Sequence, residues 1–138
     1  MQDAPELIHT LLHHLSAVFS RESDQILQEQ LGIGLSQYKI LSVLQENPSS
    51  KQKEIAFTLG QTEASVSRQI KLLRSQGMLE TRIKPQNRRE HLAALTPKGQ
   101  RIIEAAGSVL LNYQHASLAH MSTKQQAQLL ELLAGVHR

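Results

Sequence analysis

The chain has 138 residues, 40% of them hydrophobic and 20% charged, a composition that folds around one core and excludes a disordered or fibrous chain. The absence of cysteine excludes disulfides, thiolate metal sites and thiol redox sensing. The net charge of +3 is unevenly distributed: eleven of the fifteen bases but only four acids fall between Lys51 and Arg101, which gives that segment +7 and the remainder −4, and predicts that the middle of the chain binds a polyanion.

The opening MQDAPEL carries acids and no basic leader, and no apolar run approaches the roughly 18 residues of a membrane span, so a cytoplasmic protein without membrane attachment is expected. The aromatic residues are Phe19, Phe57, Tyr38 and Tyr113 alone, which leaves the core to Leu, Ile, Val and Ala and favours helices. From about Pro5 to Leu31, residues Leu7, Ile8, Leu11, Leu12, Leu15, Val18, Phe19 and Ile26 recur mostly at spacings of three and four, which predicts a long amphipathic helix ended by Gly32 and Gly34. Ser36 is a candidate cap for a second helix, Gln37 to Glu46, which Asn47 and Pro48 close.

KQKEIAFTL then reads as a short helix with Ile55, Ala56 and Leu59 inward and Gly60 as a left-handed stop. Thr62 can cap the next helix, in which Val66, Ile70 and Leu73 form the inner stripe and Ser65, Arg68, Lys71 and Arg74 lie outside it, before Gly77 ends it. Two helices joined by about three residues with a glycine form a helix-turn-helix pattern. In LETRIK the period falls to two, PQNRRE reads as a basic turn, and HLAAL as the return strand, so Leu79 to Leu95 is predicted to be a hairpin with Arg88 and Arg89 at its tip. Thr96 and Pro97 start a helix to about His120, and Ser122 with Gln125 forms a capping-box pattern for a last helix.

A helix-turn-helix followed by a basic hairpin suits duplex DNA. The second helix can enter the major groove, and an arginine-tipped hairpin can reach phosphates or the adjacent minor groove. The terminal helices carry more apolar surface than the small middle lobe can cover, which predicts pairing with a second copy.

The order of elements and the segments LSQYKIL, KEIAFTLGQTEASVSRQIKLLRSQGMLETR and NRREHLAALTPKG resemble the MarR family of regulators over nearly the whole chain. The resemblance implies a mainly α fold with a small β-hairpin wing. Residues 1–34 and 97–138 would form a helical dimerisation region from both termini, and 35–96 a winged helix-turn-helix that binds double-stranded DNA as a homodimer, most often as a repressor. It places Gln61, Thr62, Ser65, Ser67 and Arg68 at DNA, with Lys71 and Arg88 beside them in the basic block, and Arg89 at the wing-tip arginine. Many members carry an Asp two residues before that arginine to fix the wing, whereas this chain has Asn87, which can hydrogen-bond but brings no charge. Members often respond to small aromatic or anionic effectors bound between the dimer region and the DNA lobe, and Tyr38 is the candidate lining residue here.

Seven histidines raise the question of a metal. His9 and His13 are i and i+4, but they lie away from the apolar stripe of their helix, His115 and His120 are five apart, and no HExxH or carboxylate-rich companion is present. Exposed or interface histidines are expected, with neither metal nor cofactor. There is no glycine-rich phosphate loop, nucleophile elbow or paired catalytic acids, so an enzyme is not expected. A winged helix serving as a protein-protein adaptor is the alternative, and it would not need Arg88, Arg89 or the +7 block.

Overall fold

A computed structural model describes residues 1–137, and for residues 84 and 88–91 the backbone alone. The order is α1 (Ala4–Leu31), α2 (Leu35–Glu46), α3 (Gln52–Leu59), α4 (Glu63–Ser75), β1 (Leu79–Lys84), β2 (Asn87–Leu95), α5 (Pro97–Ser117) and α6 (Thr123–Ala134). This is the mainly helical architecture with one antiparallel hairpin that the periodicities predict.

α1 begins where the Asp3 carboxylate accepts the Glu6 N–H at 3.0 Å, and ends at Gly32, whose φ of 69° is the left-handed conformation that glycine adopts without steric cost. Only its C-terminal end is fully buried, at Leu27. The following helix corrects one sequence expectation: α2 starts at Leu35 with Gly34 as its cap, and Ser36 lies inside the first turn. The reason is that its first donors find other acceptors. The Gly34 N–H donates to Gln37 Oε1 at 3.0 Å, and the Leu35 N–H to Asp24 Oδ1 of α1 at 2.9 Å.

Leu27, Ile33, Ile40, Leu41, Leu44, Ile55, Val66, Ile70, Leu73, Leu79, Ile103, Ala106 and Leu110 belong to one buried cluster, each large side chain of which contributes roughly 1.5–3 kcal/mol by leaving water. The cluster takes residues from α1, α2, α3, α4, β1 and α5 alike. The winged segment and the terminal helices therefore share a core across the boundaries at residues 34 and 97. α5 is also pinned to α1 by the Tyr113 hydroxyl, which donates to the Glu22 carboxylate; partial burial and that carboxylate push the phenol up to about 12.

β1 and β2 pair from Leu79↔Leu95 to Ile83↔His91, then jump to Lys84↔Asn87. Here too the expectation changes. β2 already starts at Asn87, inside the segment read as a turn, and the turn is Pro85 and Gln86. Residues 88–90 are extra on the β2 side, an irregularity of the bulge kind that bends a hairpin tip. α5 ends at Ser117, three residues short of His120. α6 has the predicted reciprocal cap, Gln125 N–H to Ser122 Oγ at 3.1 Å and Ser122 N–H to Gln125 Oε1 at 2.9 Å, yet contains no buried residue.

Candidate nucleic-acid interface

The second helix of the pair, α4, is held on three sides. Val66, Ile70 and Leu73, each fully buried, fix its inner face. At its start, Gly60 takes φ 64° and Thr62 Oγ1 accepts the Ser65 N–H at 3.1 Å, so the turn delivers a capped helix. At its end, Gly77 takes φ 77° and the Met78 N–H returns to Leu73 O at 2.9 Å.

Helical spacing puts Ala64, Arg68, Lys71 and Ser75 opposite that inner face, and all four are exposed. Ser65 and Ser67 are half-buried on the two flanks. The candidate DNA residues of α4 thus divide: Arg68 and Lys71 present two cations on the outer face, Thr62 is both exposed and the helix cap, and the two serines border the outer stripe. Gln61 lies differently. It is half-buried in the turn, and its Nε2 donates to Ser36 Oγ of α2 at 3.2 Å while Oε1 is buried without a partner. Its side chain fastens the α3–α4 turn to α2.

Asn87 is exposed and opens β2 opposite Lys84. The backbone of Arg88 and Arg89 follows in β2, and their side chains lie outside the described residues. Tyr38 is half-buried against the core and lines neither of two surface cavities. One, of about 390 Å³, lies between the end of α2 and the wing, with Leu44, Pro48, Arg82, Leu92 and Leu95 in its wall. The other, of about 490 Å³, lies between the α1–α2 bend and the flank of α4. His9, His13, His14, His115 and His120 are exposed, and among the described residues no three His, Asp or Glu gather where they could hold a metal ion. Among the described residues no helix is long and apolar enough to cross a membrane.

Three residues not read as part of the site from the sequence tie the end of α4 to the start of α5. Thr96 Oγ1 donates to Gly77 O at 2.6 Å while accepting the Gly99 N–H at 3.0 Å, and Lys98 Nζ donates to Gln76 O at 2.8 Å, so the start of α5 satisfies carbonyls at the end of α4. Gly99 lets the two segments touch, since a Cβ there would stand 2.2 Å from Met78 O. These contacts span about twenty residues of chain, and only the glycine and the threonine-proline start were visible locally.

A family model described as the MarR family matches residues 31–90, which takes in α2, the helix pair and the beginning of β2. The uncharacterized HTH-type transcriptional regulator YdgJ of Bacillus subtilis strain 168 is 29% identical over 103 residues, which are 75% of this chain and 63% of that protein. The chain therefore aligns with under two thirds of that relative's length. Among solved structures, a mutant MarR from E. coli superposes with a TM-score of 0.82 at 21% identity, covering 100% of this chain and 98% of that one. CouR from Rhodococcus jostii RHA1, solved with p-coumaroyl-CoA bound, gives 0.79 at 18% identity and covers 99% and 95%. The family match falls on the capped helix pair and wing, and the structural likeness extends to the terminal helices: residues 31–90 match the MarR family model, and the chain as a whole has the winged-helix fold of these structures.

Proposed function

We propose that this protein is a transcriptional regulator that binds double-stranded DNA as a homodimer, with α4 in the major groove and the wing at the adjacent backbone or minor groove. The observation that carries the reading is the outer face of α4, where Arg68 and Lys71 stand exposed on a helix whose inner face and both ends are locked. Thr62, Ser65, Ser67, Arg68 and Lys71 are the reading and positioning residues, Arg88 and Arg89 the wing contacts, and Asn87 the residue that orders the wing. Gln61 acts from behind, by holding the turn.

Residues 35–96 are the DNA lobe, and 1–34 with 97–138 the pairing region. Leu7, Ile8 and Leu11 of α1, Leu111 of α5, Leu130 and Leu132 of α6, and Val136 after it are exposed apolar side chains that a second copy would cover. Repression relieved by a small effector is the regulatory mode that fits the family. The relative solved with p-coumaroyl-CoA supports a ligand-responsive fold.

The test is selection of bound sequences from random duplex DNA, followed by gel shifts across salt concentrations. The expected result is a pseudo-palindrome with half-sites one helical turn, about 34 Å, apart, and an affinity that falls steeply with salt. No enriched sequence and no duplex shift at low salt would replace this reading with the protein-protein adaptor.

A further inference from the structure

The cavity of about 490 Å³ beside α4 falls within the size range of small-molecule sites, and its chemistry is unusual for one. Its wall is built from carboxamides: Gln28 of α1, Gln37 of α2, Gln69 of α4 and Gln76 just past its end. Asp24 and Ser36 add a carboxylate and a hydroxyl, and Leu72, 46% exposed, supplies the single large apolar face. Among the described residues no Lys, Arg or His lines it.

The polar groups are positioned but not saturated. Gln37 is 7% exposed; its Oε1 accepts the Gly34 N–H, while its Nε2 stands 3.5 Å from Gln76 Oε1, the outer limit of a hydrogen bond. The Gln69 amide has no partner among the described residues. Asp24 spends one acceptor on the Leu35 N–H and one on Gln28 Nε2 at 2.8 Å, out of the roughly four a carboxylate offers.

This wall selects by chemistry. A carboxamide both donates and accepts, which matches hydroxyl groups that do the same, and Leu72 can lie against the C–H face of a ring. An anion would meet the Asp24 charge with no cation to offset it, and a flat aromatic would leave most of the amides unpaired. We propose that this cavity binds a small neutral polyhydroxylated molecule, a monosaccharide or cyclic polyol, as an effector that adjusts the engagement of α4 with DNA.

The regulatory half of the proposal rests on the DNA-binding reading above. Gln69 and Leu72 of α4 and Gln76 just past it follow at i, i+3 and i+7, one stripe turned aside from Arg68 and Lys71, so an occupant bears directly on the flank of that helix. Ser36 is also the acceptor that holds Gln61, whose Oε1 is already buried and unpaired. An occupant competing for Ser36 would therefore loosen the turn that starts α4.

The experiment titrates the protein with D-glucose, D-xylose, D-ribose, myo-inositol and salicylate while following the glutamine side-chain amides by NMR. At least one neutral polyol is expected to shift the Gln69 and Gln76 amides saturably. Gln28→Leu or Gln69→Leu should weaken that binding by about fivefold to tenfold. Operator affinity, measured with and without the polyol, should change by the same factor by which DNA changes polyol affinity. Amides unmoved by every polyol, or moved only by salicylate, overturn the site; so does a binding constant unaffected by both variants. Polyol binding that leaves operator affinity unchanged overturns the regulatory role. Absence of duplex binding in the polyol-free protein signals failure of the DNA-binding reading, which the amide titration tests separately from the site.

Discussion

A methyl group at residue 99 would press on the Met78 carbonyl oxygen, backbone that cannot swing aside as the end of a flexible side chain can. Gly99→Ala must therefore part the start of α5 from the end of α4, disturbing the hydrogen bonds from Thr96 and Lys98. The expected cost is about 1–3 kcal/mol of unfolding free energy, measured by denaturant titration. Gly107→Ala, in the same helix with open space around the site, supplies the control and should be neutral or stabilising by up to about 1 kcal/mol. Equal effects at the two positions would remove the close approach as the reason for glycine at 99. Gln61 teaches a related lesson at this scale: its type and place in the sequence suit a DNA contact, but its amide reaches Ser36.

Among the elements, the wing separates charge from position most cleanly. Arg89→Ala is expected to weaken duplex binding and to lower the slope of log affinity against log salt by about one unit, as loss of one phosphate contact does. An unchanged slope and affinity would show that the wing tip stays clear of DNA. The helices were legible because their inner stripes repeat at three and four residues and their ends carry Thr62, Gly77, Thr96 and Ser122. α2 misled at its cap because Asp24, eleven residues before Leu35, takes an N–H that a local reading gives to Ser36. The start of β2 was hidden for another reason. The segment from Asn87 to Glu90 has turn composition, and strand pairing across the two-residue turn overrides it. At the site, Arg68 and Lys71 could be placed from periodicity alone, whereas the carboxamide cavity draws its wall from three helices and has no signature in any one of them.

For the molecule as a whole, α6 is the element least explained by a single copy. Leu130 and Leu132 are 70% and 72% exposed on a helix that is fully capped. Replacing both by lysine should raise the dimer dissociation constant at least about a hundredfold, read by analytical ultracentrifugation, with the hairpin and α4 still folded. A dimer as stable as before would move the pairing surface elsewhere. The close seat of Gly99 on Met78 then acquires a mechanical meaning. α5 has 21 residues, a rod of about 31 Å, seated on the end of α4 at its start and pinned to α1 through Tyr113 near its other end. A methyl group at residue 99 would therefore be felt at both ends of this rod, at the carbonyls that end α4 and at the contact between α5 and α1.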